Sequence, residues 1–143
     1  MRTATAATLT LVIFLAGALA GTAVSAQRRP TDAQCGTASA QVRTTLYFGL
    51  SKQKGSVSEL EWQMFLRDEV TSRFPDGLTT WEADGQWRAL DGTIGHERSK
   101  VLLLVHPDSP AARSSVQSVI ERYRKAFEQE SVLWETARVC AAA

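Results

Sequence analysis

Two cysteines and two histidines are all that this chain of 143 residues holds of the side chains that most often ligate metals or serve as bases and nucleophiles. The histidines, His96 and His106, form no His-x-His or His-Glu-x-x-His pattern, and no cysteine cluster accompanies them. A protein-bound metal is therefore not expected, since such sites need three or four ligands at close spacing. Serines are plentiful, but none sits in a Gly-x-Ser-x-Gly elbow. No glycine-rich phosphate cradle is present, and no cofactor is expected. Charge of one sign is lacking too: 16 basic residues face 15 acidic ones, and without Arg2 they balance. That balance argues against nucleic acid or an anionic membrane as partner.

Long apolar runs are confined to the beginning. Arg2 is followed by an uncharged stretch from Thr3 to Ala23, then by Val24-Ser25-Ala26 with small residues at the −3 and −1 positions. This is the layout of a secretory signal peptide over residues 1–26. The alternative is a retained membrane anchor, which the cleavage pattern and the Gly and Thr tail disfavour. Leu19-Ala20-Gly21 leads to Thr22 where a lipoprotein signal needs Cys. The expectation is an exported protein, periplasmic or secreted, with no membrane anchor after cleavage. In an oxidising compartment, Cys35 and Cys140 are expected to be bridged. So long a closed loop stabilises by up to about 4–5 kcal/mol in the chain-entropy model.

Residues 27–40 are small and polar and read as an extended lead-in to a domain over 41–143. From Val42 to Leu50, alternation puts Val42, Thr44, Leu46 and Phe48 on one face of a strand. A first helix begins at Ser58, with Glu61 completing a capping box and Val57 and Trp62 at the staple positions. Its apolar stripe is Trp62, Phe65, Leu66, Val70 and Phe74, and Pro75 ends it. Leu78 to Ala83 is a second strand, followed by Asp84-Gly85, which is read as a two-residue hairpin turn. That turn sets Glu82 opposite Trp87, and Trp81 opposite Arg88. Lys100 to His106 is apolar on both faces and is expected to be central. Ser109-Pro110 opens a second helix, buried through Ala112, Val116, Val119, Ile120, Tyr123 and Phe127. Ser131 to Cys140 is the last strand.

The order β-α-β-β-α-β predicts an α+β, ferredoxin-like fold, a four-stranded antiparallel sheet with two helices on one face. Spatial order 4-1-3-2 makes the first and third strands central and sets Cys140 beside the chain just after Cys35. Since the third strand is apolar on both sides, its helix-free face needs cover. A homodimer through this open face is the expected solution. The others are a lid formed by residues 88–98 and a ligand site.

Several separated segments carry a family resemblance. They are Leu46-Tyr47-Phe48-Gly49, Val57-Ser58 with Glu61-Trp62, Phe74 to Thr79, Gly85-Gln86-Trp87, Glu97 and Phe127 to Val132. Together they resemble the DUF3574 family, small exported bacterial proteins of unknown function. The resemblance spans about residues 40–140 and implies an envelope location, but it brings no catalytic residues.

The candidate site residues therefore come from their chemistry. Gln86, Trp87 and Arg88 combine an aromatic, an amide and a guanidinium, the usual equipment of a small-ligand pocket. A structural cation–π pair between Trp81 and Arg88 is the competing explanation. His96 with Glu97 offers a base and a carboxylate, although neighbours on a strand point to opposite faces. Tyr47, on the open face, joins Gln86, Trp87, Arg88, His96 and Glu97 as a ligand-binding candidate. The expected function is a non-enzymatic envelope protein that binds a small molecule or another envelope protein. Its rivals are a cofactor-independent enzyme of the dimeric α+β-barrel type and a structural homodimer.

Overall fold

The computed structural model describes residues 31–88 and 91–142. The expected signal segment and the first four residues of the lead-in lie outside them. A short 3-10 turn at Asp32–Gln34 leads into β1 (Ser39–Gly49). A small hairpin follows, β2 (Ser51–Lys52) with β3 (Gly55–Ser56), then α1 (Glu59–Phe65), which runs into a π-helical stretch at Leu66–Thr71. The remaining elements are β4 (Thr79–Arg88), β5 (Ile94–His106), α2 (Pro110–Phe127) and β6 (Leu133–Ala141). The main sheet has the order β4-β5-β1-β6, and every pairing in it is antiparallel. With both helices on one face, this is the ferredoxin-like arrangement, and the first and third long strands are central.

Local chemistry explains the helices. Glu61 NH donates to the Ser58 hydroxyl at 3.3 Å, and Ser58 NH donates to the Glu61 carboxylate at 2.8 Å. Two otherwise orphaned amides are thereby satisfied. The apolar residues of this helix recur at four-residue steps, 62, 66, 70 and 74, and such a stripe drifts around a 3.6-residue helix. The wider π-helical turn takes up the drift, and all four side chains are buried. In α2 the Ser109 hydroxyl accepts from Ala112 NH at 3.1 Å, with Pro110 at the first helical position.

The core is an aromatic stack between helices and sheet. Phe48 meets Tyr123 at 4.5 Å and Trp62 at 5.4 Å between ring centroids, and Tyr123 meets Phe127 at 4.7 Å. Burial pushes the Tyr123 phenol well above its ordinary range, with the Glu97 and Glu61 carboxylates adding to it. The hydroxyl thus stays a donor, and it donates to the Gly49 carbonyl at 2.8 Å. Lys100 is buried on the helix side of β5, where its ammonium meets Glu59 at 2.6 Å and Glu82 at 2.8 Å. This ties the first turn of α1 to the β4–β5 pair.

The Cys35–Cys140 disulfide is formed, with Cα atoms 5.3 Å apart. It explains why β1 starts at Ser39 rather than Val42. The tether holds residues 39–41 against 139–141, so pairing extends outward to Ser39↔Ala141.

The β4–β5 connection departs from the sequence reading. Asp84-Gly85 does not turn: β4 continues to Arg88, and β5 begins at Ile94 rather than Lys100. Glu82 therefore opposes Lys100 and Trp81 opposes Val101, while Trp87 and Arg88 oppose Gly95 and Ile94. The expected Trp81–Arg88 pair is excluded by this register. The turn uses the second Asp-Gly pair instead, where Gly92 has φ +86 and the Asp91 carboxylate accepts from Thr93 NH at 2.9 Å. Two equal local signals were in competition. The long register, which sets Glu82 against Lys100 and Arg98, decides between them. Arg88 and residues 94–98 consequently form strand, not a lid, and Trp81, Val105 and Leu133 stay exposed on the open face.

Glu61 provides a test of the α1 cap. The Lys52 ammonium, then the Ser58 amide and hydroxyl, hold its carboxyl at about 2 instead of 4.5. A carboxyl depressed on folding contributes stability above its unfolded value, and that contribution is lost as pH falls through the folded one. Glu61→Gln is expected to flatten the acid limb of stability between pH 4.5 and about 2, followed by denaturant melts. Parallel acid limbs in variant and wild type would refute the depressed Glu61 carboxyl.

Candidate ligand-binding cleft

β1 ends opposite Ser99, and beyond the bond from Leu50 NH to the Arg98 carbonyl at 3.0 Å, residues 84–88 and 94–97 run on as a strand pair of their own. They form a two-stranded ribbon projecting past the end of the sheet. Alternation continues the open face through Gly85, Trp87, Gly95 and Glu97, and sends Arg88, His96 and Ile94 to the other side. A cleft of about 510 Å³ lies where the ribbon leaves the sheet, closed on its far side by the loop between α2 and β6. That volume is in the range of small-molecule sites.

Two glycines shape it. A Cβ at Gly95 would lie 3.0 to 3.2 Å from three indole atoms of Trp87. The missing side chain lets the indole settle across the ribbon onto the neighbouring strand, a known use of cross-strand glycine. A Cβ at Gly49 would lie 2.6 to 2.7 Å from all three carboxyl atoms of Glu97. The Glu97 carboxylate thus occupies the space that a side chain would fill, and it accepts from Ser51 NH at 2.9 Å. Gly49 is itself anchored from behind by Tyr123.

The rim is fixed by the end of α2. Glu128 sits at φ 56, ψ 36, the left-handed conformation that helix ends usually give to Gly or Asn. The Gln129 amide donates to the Ser51 carbonyl and, at 3.2 Å, to the Phe127 carbonyl. Residues 128–131 are thereby pinned across the cleft from Trp87. Tyr47 and Leu133, paired in register, complete an apolar wall, with the Tyr47 hydroxyl donating to Glu135 at 3.4 Å.

Of the residues singled out from sequence, Tyr47, Gln86, Trp87 and Glu97 border this cleft, while Arg88 and His96 do not. His96 lies opposite Gln86 on the other side of the ribbon, and alternation separates it from the Glu97 carboxylate. Sequence reasoning missed Ser51, Ser99 and the rim 128–131 as lining residues. A helix ending on Glu-Gln-Glu-Ser with no Gly or Asn cap was the available signal. A smaller cavity of about 190 Å³ lies between Phe74, His106 and the start of α2. There His106 is fully engaged: its Nδ1–H donates to the Pro107 carbonyl and its Nε2 accepts from Thr44, both at 2.9 Å. Among the described residues no group of three His, Cys, Asp or Glu is placed to hold a metal.

A family model described as "Protein of unknown function (DUF3574)" matches residues 43–142. The chain belongs to that family. No curated protein matches it. Among solved structures, this DUF3574 domain is similar to phage SAM lyase in complex with S-methyl-5′-thioadenosine. The two share 14% identity at a TM-score of 0.52, over 81% of this chain and 95% of that one. The apo state of phage SAM lyase gives 15% identity and a TM-score of 0.52, over 73% and 92%. CutA from Synechococcus elongatus complexed with Bis-Tris gives 10% identity and a TM-score of 0.49, over 74% and 87%. At these identities the likeness shows the fold alone. Of the segments by which the chain resembles its family, Tyr47 and Gly49, Gly85-Gln86-Trp87, Glu97 and residues 128–131 border the cleft, while Val57 to Trp62 and Phe74 to Thr79 lie elsewhere.

The seating of Trp87 on Gly95 is directly testable. Gly95→Ala is expected to move the Trp87 indole N–H resonance while those of Trp62, Trp81 and Trp134 hold. Stability should stay within about 1 kcal/mol, because the atoms displaced are at the end of a side chain. An unmoved Trp87 resonance would contradict the packing.

Proposed function

We propose that this domain is exported, to the periplasm or beyond, and works there as a non-enzymatic binder of a small molecule held in the cleft. The observation that carries the reading is the cleft's construction. Residues from β1, the ribbon and the α2–β6 loop, far apart in sequence, converge on one concave site with an aromatic and aliphatic wall and hydrogen-bonding groups. Its half-buried carboxylate, Glu97, is held by a backbone amide rather than by a serine or histidine, which favours binding over catalysis. The disulfide supports an oxidising compartment. No helix among the described residues is long and apolar enough to cross a membrane. The apolar strip of Trp81, Val105 and Leu133 on the open face supports a second copy packed sheet to sheet beside the cleft.

A thermal-shift screen of the 27–143 chain against a library of small metabolites tests this reading. Ligands for the cleft should raise the melting temperature by mass action, and Trp87→Ala, at an exposed position, should abolish the shift without unfolding the protein. Equal shifts in the variant, or none in either protein, would sink the cleft as a binding site. Light scattering on the same sample reads the pairing: two chains per particle agree with it, and one chain removes it.

A further inference from the structure

We infer that the ligand is a small organic cation, an amine or quaternary ammonium carried on an apolar or aromatic body. This rests on the cleft being the binding site. The site is fixed by its volume and aromatic wall, and its ionisable residues decide only the sign of charge that it accepts.

Among the described residues the lining carries three carboxylates, Glu97, Glu128 and Glu130, and no Lys, Arg or His. In a chain whose charges nearly balance, such a lining is one-sided. Several acids elsewhere in the domain are in ion pairs, Glu61 with Lys52, Glu59 and Glu82 with Lys100, Glu69 with Arg73, and Asp108 with Arg113 and Arg138, while others, such as Asp76, Asp84 and Glu121, are in none among the described residues. None of the three cleft carboxylates is in an ion pair among the described residues. Two cations of the neighbouring strands are engaged by other acids, Lys52 by Glu61 and Arg98 by Glu82. A bound cation would neutralise the three cleft carboxylates. Trp87, 56% exposed, adds the second requirement. An indole beside carboxylates attracts a cation both by its quadrupole and by apolar contact with the alkyl or aromatic groups around the charge. An anion would meet three like charges here with no donor beyond neutral hydroxyls and amides. A neutral ligand would leave the carboxylates unpaired. Seating Glu97 in the space left by Gly49, with Ser51 NH fixing one oxygen, presents the other oxygen at a defined place.

A charge series on one body separates this inference from the reading beneath it. Benzyltrimethylammonium, benzyl alcohol and phenylacetate would be titrated by calorimetry into the 27–143 chain, into Glu97→Gln and into Glu130→Gln, each checked for its fold by circular dichroism. The cation should bind the wild type about tenfold or more tightly than the alcohol, and phenylacetate should not bind. Glu97→Gln should lose about tenfold for the cation and nothing for the alcohol. Glu130→Gln, at an exposed rim position, should lose a smaller factor in the same direction. Alcohol or phenylacetate binding as tightly as the cation would leave the cleft a ligand site and overturn its charge preference. No binding by any of the three would overturn both.

Discussion

The end of β1 is where the parts of this domain are tied together, and the tie depends on a side chain that is not there. Gly49 has no Cβ, and the Glu97 carboxylate fills that space from the neighbouring strand. From the core side, Tyr123 of α2 donates to the Gly49 carbonyl. One residue later the chain leaves the sheet, and Ser51 gives its amide to Glu97 and its carbonyl to Gln129 of the α2–β6 loop. Sheet, second helix, ribbon and rim thus meet within three residues. A Cβ at position 49 would push the Glu97 carboxylate out of this seat.

The ribbon supplies the other wall. A two-stranded extension is marginal by itself in water, and this one is rooted by the ion pairs of Glu82 with Lys100 and Arg98 where it leaves the sheet. Its one large aromatic on the cleft side, Trp87, lies on Gly95 and not on a packed core. The arrangement places an indole and a carboxylate on opposite sides of a concave space while the hydrophobic core stays behind the sheet. The concave space is thereby separated from the core, so an exposed aromatic at Trp87 is tolerated without cost to the packing behind the sheet.

Much of this was legible from the residues, and what was not has a physical reason. The capping box at Ser58-Glu61, the Ser109-Pro110 start and the alternation of Val42 to Phe48 are local signals, and the structure follows them. The two-faced apolarity of Lys100 to His106 placed that strand at the centre, and the β-α-β-β-α-β order then brought Cys140 towards Cys35. The hairpin was misread because Asp84-Gly85 and Asp91-Gly92 carry the same local preference. Only the pairing along the whole of β5, a nonlocal property, selects between them. The same error opposed the wrong residues and hid the ribbon. Tyr47, Gln86, Trp87 and Glu97, singled out by their chemistry, border the cleft, but the rim at Glu128 to Ser131 reaches it through a left-handed helix end, and a periodicity argument does not see where such a turn points.

The seat of Glu97 is best measured at the Ser51 amide. In a nitrogen–proton correlation spectrum of labelled protein, a proton donated to a carboxylate is expected well downfield. It should return towards the ordinary amide range in Gly49→Ala while the core resonances of Phe48 and Tyr123 barely move. A Ser51 amide at ordinary shift in the wild type, or one unchanged by the added methyl, would show that Glu97 is not held at Gly49 and would contradict the account of the cleft.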